Sequence, residues 1–513
     1  MRIESYLRDS ASRDGSKEAL VTAERRLTYG DLDALSDHLA GALQAGGVRR
    51  GDRVVIQMGN TWQAVVSLFA VLKAGAAFSI LNPSVKADKL GTILRHCEAR
   101  ALLTQGALAL VAAEAVALAP SVRLAIVAEA PTATVPGAVS FASCLDGPAP
   151  VPHGGIDVDL AMLVYTSGSA GHPKGVMMSH RNVDAAATSI TTYLGSRADD
   201  VVLAVLPVAS DYGLYQILMA AKVGARVVLA TSFAYPQAMF ALMRDERVTG
   251  LPLVPTMAAM ILRMTTLTPD PLPHLRYLTN TAAALPVSHI ARLRQLFPRA
   301  ALYSMYGLTE CKRCTGLPPD RIDSHGGSVG FPIPNTEAFV VDEAGRKQPP
   351  HVVGELVIRG PHVMQGYWGD EAATRRALRP GPNPWERVLY TGDLFYADGD
   401  GFLYFVGRQD DIIKTRGEKV APKEVEAVLH RLPGIEEAVV FGAPDPVLGQ
   451  SVRALVVASD PALTGAAVIR HCQRHLEDFM VPQGIAFRID LPKTDTGKVS
   501  RRLAAATVLE AGE

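Results

Sequence analysis

Helix and strand periodicities alternate through the first third of this sequence, and that alternation leaves few architectures open. Leu32, Leu35, Leu39 and Leu43 fall on one helical face, and Arg53 to Met58 reads as a strand. A second apolar helix runs through Trp62, Val65, Phe69 and Leu72 and ends at Gly75, before the apolar run Ala77 to Leu81. Such a rhythm builds mainly parallel sheet covered by helices. It returns later, with a strand at Arg226 to Ala230 and a helix at Ser288 to Leu296. At 513 residues and 48% apolar composition the chain has material for several cores, so two or three domains are expected.

The texture changes between Gly354 and Tyr404, which is rich in Gly, Pro and Asp and holds short β-like runs at Glu355 to Ile358 and Phe402 to Phe405. Beyond Gly407-Arg408 the pattern is that of a small α+β unit. One helix carries Val425, Val428, Leu429 and Leu432; strands follow at Ala438 to Phe441 and Ala454 to Val457; a second helix carries Val468, Ile469, Cys472 and Leu476. About 100 residues suffice for a separate domain. The expected division is therefore 1–408 and 409–513.

Charge and cysteine usage narrow the function. Lys plus Arg and Asp plus Glu both number 51, so no overall field favours nucleic acid or an anionic membrane, and small partners fit better. The N-terminus has no apolar leader, and no run of about 18 uncharged apolar residues occurs. A soluble cytoplasmic protein is expected. Five cysteines are too few for a disulfide framework; Cys97, Cys144 and Cys472 read as core filler. Cys311 and Cys314 form a CxxC, but no second CxxC or histidine pair completes a zinc site.

The most informative segment is Tyr165-Thr166-Ser167-Gly168-Ser169-Ala170-Gly171-His172-Pro173-Lys174-Gly175. Leu160 to Val164 reads as a buried strand entering it, and Val176 onward as a helix. Small residues let backbone N–H groups close around phosphate oxygens, and a lysine adds a point charge. The spacing is not GxxxxGK[ST], because Gly175 follows Lys174. An ordinary Gly/Ser loop is the bland alternative.

This segment resembles the phosphate-binding signature of the adenylate-forming superfamily, which includes AMP-forming acyl-CoA synthetases, luciferases and peptide-synthetase adenylation domains. Ala170 stands where the usual form has threonine. Further motifs follow in family order: Tyr306-Gly307-Leu308-Thr309-Glu310, Thr391-Gly392-Asp393, Gly407-Arg408-Gln409-Asp410 and Pro492-Lys493-Thr494-Asp495-Thr496-Gly497-Lys498. Each alone has a plain reading as a turn, a cap or a solvated charge; together they span the chain from Tyr165 to Lys498. The resemblance implies an α/β fold: a large N-terminal domain of parallel-rich sheets covered by helices, with a β-barrel-like part, and a small mobile α+β C-terminal domain.

The activity that the resemblance implies is ATP- and Mg²⁺-dependent adenylation of a carboxylic acid, followed by acyl transfer to a thiol. Ser167, Gly168, Ser169, Gly171 and Lys174 would hold the β- and γ-phosphates. Glu310 with Thr166 would carry Mg²⁺, and Thr309 would contact phosphate. Tyr306 would stack on adenine, with Ala283, Ser304 and Gly307 alongside. Asp393 would bind the ribose hydroxyls and Arg408 would lie near ribose and phosphate. Asp410 would be the pivot of the C-terminal domain, and Lys498 would bridge the attacking carboxylate and the α-phosphate, where negative charge builds up.

The acid pocket is expected around Leu206 to Tyr215. Asp211 falls where amino-acid-activating relatives pair a carboxylate with the substrate ammonium; equally, it can cap the helix that follows, Gln216 to Gly224. Tyr212, Tyr215, Pro252, Leu278, Asn280, Met305, Lys312 and Arg313 complete the candidates, and they argue against a long aliphatic tunnel. The Asp211 and Lys312-Arg313 segments resemble stand-alone amino-acid ligases, β-amino-acid ligases included, in which the basic pair can meet a second substrate carboxylate; equally, these basic residues can be solvated or pair with Asp211. No carrier motif of the Gly-x-Asp-Ser-Leu kind lies in the chain, so the acceptor comes in trans. The first expectation is a phosphopantetheine-bearing acyl carrier protein receiving an amino acid; the alternative is an acyl- or aryl-CoA synthetase using coenzyme A.

Overall fold

Several helix starts in this chain are set by side chains that satisfy the first free N–H groups. Thr28 accepts from the Asp31 amide and Asp31 reaches back to Thr28, a reciprocal cap that opens the helix Tyr29–Ala45. Ser179 and Asn182 do the same for His180–Leu194. Each cap stabilises its helix by about 1 kcal/mol. The helix Trp62–Lys73 is buried on every side from Gln63 onward, and even Lys73 is enclosed, its ammonium donating to the Asp33 carbonyl and carboxylate.

In the computed structural model, residues 1–129, 135–167, 173–281, 285–415, 418–445, 447–494 and 499–511 are described. They form two units: Met1–Ala338 with Ile358–Tyr390, and Phe339–Val357 with Thr391–Glu513. The anticipated boundary after Arg408 falls within the second unit.

The first unit contains two large sheets. One runs in the order Gly366–Tyr367, Pro173–Ser179, Leu160–Ser167, Ala77–Leu81, Arg53–Gln57, Ala101–Gln105, Leu124–Ala128, Val139–Ser140. It is parallel except at one edge, where Leu160–Ser167 folds back on Pro173–Ser179. Here the sequence expectation is corrected: Val176 onward is strand, and the helix begins only at His180. Ser179 explains the delay, because its hydroxyl supplies the cap three residues beyond Val176. The second sheet runs Phe331–Pro332, Lys312–Leu317, Ala301–Leu308, Tyr277–Asn280, Gly250–Leu253, Val201–Ala204, Arg226–Leu229, Glu18–Val21, Arg26–Thr28. Its interior is parallel, and both edges end in antiparallel hairpins. The alternation read from the sequence is thus the covered parallel sheet it implied.

The Gly-, Pro- and Asp-rich stretch contributes Gly354–Arg359, Leu378–Pro380, Arg387–Ala397 and Leu403–Arg408 to a five-stranded sheet. In the second unit, Ile435–Asp445 and Gly449–Ala458 form a long hairpin with cores on both faces. Val440, Val452 and Val456 pack with Val425, Leu429, Val468 and Cys472 of the helices Pro422–Leu429 and Gly465–His475. Val439, Phe441 and Leu455 face the other way, against Ala504 and Val508 of the helix Arg501–Ala511. This period-2 split is what a sheet covered on both sides requires. All five cysteines are buried and free, and no helix among the described residues is long and apolar enough to cross a membrane.

Candidate active site

The phosphate-loop candidates sit on the antiparallel edge hairpin. Thr166 lies opposite Lys174 and Tyr165 opposite Gly175. Gly175 is enclosed: a Cβ there would lie 3.3 Å from the Tyr165 ring and 3.4 Å from Trp368 Cβ. The Gly175 carbonyl accepts from the Trp368 amide at 2.7 Å, and the Tyr165 hydroxyl meets His96 Nδ1 at 2.8 Å. These contacts fix the base of the hairpin. The Lys174 ammonium lies 5.3 Å from the centre of the Tyr367 ring, a cation–π contact. Ser167 ends its strand, while Gly168, Ser169, Gly171 and, elsewhere, Ala283 lie outside the described residues.

The second motif forms a tight hairpin at the edge of the other sheet. Strand Ala301–Leu308 turns at Thr309, Glu310 and Cys311 into Lys312–Leu317, with Leu308 opposite Lys312 and Gly307 opposite Arg313. A three-residue loop closed by a left-handed residue is a common hairpin solution. Lys312 takes that place, at φ 63°. Gly307 is required by proximity, since a Cβ there would stand 1.8 Å from the Lys312 carbonyl oxygen. The turn aims Glu310 at Tyr367, whose hydroxyl donates to Oε1 at 2.7 Å, while the Met364 amide donates to the Glu310 carbonyl at 2.8 Å. Glu310 and Lys174 therefore converge on one tyrosine, which brings the two hairpins together. A carboxylate and a threonine hydroxyl are hard oxygen donors suited to Mg²⁺, and the lysine suits phosphate. Ser304 and Tyr306 belong to the same strand; Ser304 is buried beside Asn280, and Tyr306 is half-buried opposite Thr315.

The acid-pocket candidates gather beneath this hairpin. Ser210, not Asp211, caps the helix Asp211–Val223, its hydroxyl accepting from the Gly213 amide at 3.1 Å. Asp211 opens the helix and pairs with a side chain of its own protein: Lys312 Nζ lies 2.9 Å from Oδ1 and also 2.9 Å from the Thr309 carbonyl. The Lys312 side chain is 2% exposed. Arg313 is also buried and takes a different environment, with its guanidinium 4.9 Å from the Tyr212 ring centre, 6.0 Å from that of Tyr215 and 3.8 Å from Met219 Sδ. Its Nε has no hydrogen-bond partner, and among the described residues no carboxylate pairs with it. The Tyr212 hydroxyl meets the Thr279 carbonyl at 2.6 Å and its Oγ1 at 2.7 Å; burial pushes that phenol up to about 12, with Arg313 opposing. Burial also raises Tyr215 well above the ordinary phenol range, and its hydroxyl has no partner. Met305 accepts from the Tyr193 hydroxyl, and Pro252, Leu278 and Asn280 lie buried on the neighbouring strands.

In the second unit, Asp393 and Arg408 face each other across adjacent antiparallel strands, with Nε 3.3 Å from Oδ1. Asp410 lies exposed in the turn Gln409–Asp411, and Asp411 is held by Arg501 at 3.0 Å. Lys493 and Val499 form an antiparallel bridge that brackets Lys498, which itself lies outside the described residues.

Two family models match this chain: "AMP-binding enzyme" over residues 7–368 and "AMP-binding enzyme C-terminal domain" over 424–498. The chain belongs to the AMP-binding enzyme family. It is 31% identical to a long-chain-fatty-acid–CoA ligase of Salmonella typhimurium, covering 96% of this chain and 92% of that protein. It is 33% identical to a feruloyl-CoA synthase of Amycolatopsis, covering 92% of each. Among solved structures, ATP-bound MatB from Rhodopseudomonas palustris superposes with a TM-score of 0.90 over all of both chains at 26% identity. An o-succinylbenzoate CoA synthetase from Bacillus subtilis, in complex with its acyl-adenylate intermediate, gives 0.85 over 97% of each at 26% identity. This AMP-binding enzyme is accordingly an AMP-forming acid–thiol ligase that uses ATP and Mg²⁺.

Sequence reasoning missed Tyr367, Tyr193 and Trp368 in this AMP-binding enzyme. No local pattern marks them: Tyr367 lies 57 positions from Glu310, and Tyr193 lies 112 from Met305. Tyr367 is carried by the edge strand Gly366–Tyr367 and Tyr193 by the helix His180–Leu194, and only the fold brings each to its partner.

Proposed function

We propose that the protein adenylates a compact carboxylic acid that carries a second anionic group and then transfers the acyl group to the phosphopantetheine thiol of coenzyme A. The single observation that carries the acid assignment is Arg313, a buried guanidinium with no ion-pair partner among the described residues. Burying an uncompensated charge costs several kcal/mol, so the site gains when an anion enters it. Lys312 engages only Oδ1 of Asp211, which leaves the other oxygen for an ammonium, so an amino diacid, α- or β-, also fits. The acceptor assignment is supported by relatives that are CoA ligases.

In this reading the acid carboxylate attacks the α-phosphorus of ATP and pyrophosphate leaves, giving the acyl adenylate. Ser167, Lys174 and Thr309 would hold the phosphates, Glu310 with Thr166 would hold the metal ion, and Asp393 with Arg408 would take the ribose. Lys498 neutralises charge at the reacting oxygens. Mg²⁺ supplies charge neutralisation on the polyphosphate. A turn of the C-terminal domain about Asp410 then withdraws Lys498, and the thiol attacks the acyl carbon with loss of AMP.

A pyrophosphate-release screen over short diacids, amino acids, benzoates and fatty acids tests the acid. A diacid or amino diacid is expected to lead, and Arg313→Met should lower its kcat/KM about 100-fold, the loss of one charged hydrogen-bonded pair. A leading monocarboxylic fatty acid unaffected by Arg313→Met refutes the assignment. Mass detection of the thioester with coenzyme A and with loaded-competent carrier proteins decides the acceptor, and thioester on a carrier protein alone refutes coenzyme A.

A further inference from the structure

Lys312 occupies a position that is costly twice over. Its ammonium is enclosed, which forfeits hydration, and its backbone lies in the left-handed region, which costs a non-glycine residue roughly 1 kcal/mol. A glycine would form the same turn without either cost. What lysine adds is a physical connection: Nζ joins the first residue of the helix Asp211–Val223 to the carbonyl of Thr309, 2.9 Å to each. Thr309 and Glu310 are successive turn residues, so holding the Thr309 carbonyl fixes the peptide plane that leads into Glu310. The next residue, Arg313, points away into the tyrosine cluster and cannot replace this link.

We infer that Lys312 is a positioning residue, an ionic strut that uses Asp211 as its anchor to hold the Thr309–Glu310 turn in the geometry that receives Mg·ATP. This rests on the assignment of Thr309 and Glu310 to phosphate and metal ion made above. Asp211 then acts on nucleotide binding through Lys312, at a distance from any nucleotide contact of its own. The strut joins the acid side of the site to the metal side through one ammonium.

The test is Mg·ATP binding by titration calorimetry without acid, combined with hydrogen exchange across residues 308–313. Lys312→Met is expected to weaken Mg·ATP about tenfold, the loss of one charge-assisted hydrogen bond, and to speed exchange in the turn. Asp211→Asn should move both readouts the same way, and the double variant should be no weaker than Lys312→Met alone, because the two act as one unit. Glu310→Gln is the control for the underlying assignment. If Glu310→Gln weakens Mg·ATP while Lys312→Met leaves affinity within about twofold and exchange unchanged, the strut is overturned. If Glu310→Gln has no effect either, the metal assignment itself fails and the strut with it. Should Lys312→Met not fold, Lys312→Gln and Asp211→Asn carry the same comparison.

Discussion

Gly307→Ala probes whether the turn bearing Thr309 and Glu310 is set by backbone contact. The added Cβ would meet the Lys312 carbonyl oxygen at 1.8 Å, its carbon at 2.7 Å and Arg313 Cα at 2.8 Å. All three atoms belong to the backbone of the paired strand, so no side chain can rotate to make room. Separation must grow from 1.8 Å to the 3.0 Å that real contacts keep, an opening of about 1.2 Å across the hairpin. Overpacking of this kind costs about 1–3 kcal/mol in stability. The catalytic cost is larger in proportion, since a displacement of about 1 Å in a positioned group can lower rate about 100-fold. Acid-dependent pyrophosphate exchange measured beside a thermal melt separates the two effects. The expected outcome is a folded protein with a modestly lower midpoint and an exchange rate about 100-fold down. A folded variant with exchange within about threefold of the parent would show that the hairpin tolerates opening, and the contact argument would be wrong.

Lys498→Ala should abolish adenylate formation yet spare thioester formation from a supplied acyl adenylate; equal loss of both half-reactions refutes its role. His362 is 1% exposed, and burial pushes its imidazole down from 6.5 to about 4. A depressed pKa means that the unfolded chain binds the proton first, so stability is full above about pH 6.5 and falls as pH drops toward about 4, by about 3 kcal/mol in total. Melting midpoints from pH 7 to pH 4.5 should fall less steeply for His362→Gln than for the parent, and parallel slopes refute the assignment.

The motifs whose chemistry depends on neighbours in sequence were legible, because a hairpin turn is a local object. Thr309, Glu310 and Gly307 are one turn, and Thr166 faces Lys174 across another. The family and the parallel sheets follow from such local signals. What escaped is long-range. Pairing of the basic residues with Asp211 is an open alternative in the sequence; that Lys312, 101 positions away, is the one that pairs depends on the sheet edge that carries the hairpin against the helix start. The helix expected from Gln216 begins at Asp211, and its cap is Ser210, whereas capping by Asp211 is one of two readings of the sequence; both residues are good caps, and the sequence alone does not choose between them. The helix expected at Val176 was strand because Val176 and Met178 are buried in the sheet, and their short apolar run fits either state.

The placement of the two hairpins has a consequence for how such enzymes diversify. Thr309 and Glu310 form the turn of one antiparallel hairpin and Lys174 lies on a strand of another, and Glu310 and Lys174 both meet Tyr367. Tyr212, Tyr215 and Asn280 come instead from a helix and an interior parallel strand, where side chains exchange without altering the path of the chain. In the function proposed here, substitution at the latter retunes substrate choice while the turn of Thr309 and Glu310 keeps its path. A chain about one-third identical to ligases named for fatty acids and ferulate is what that separation would allow evolution to produce.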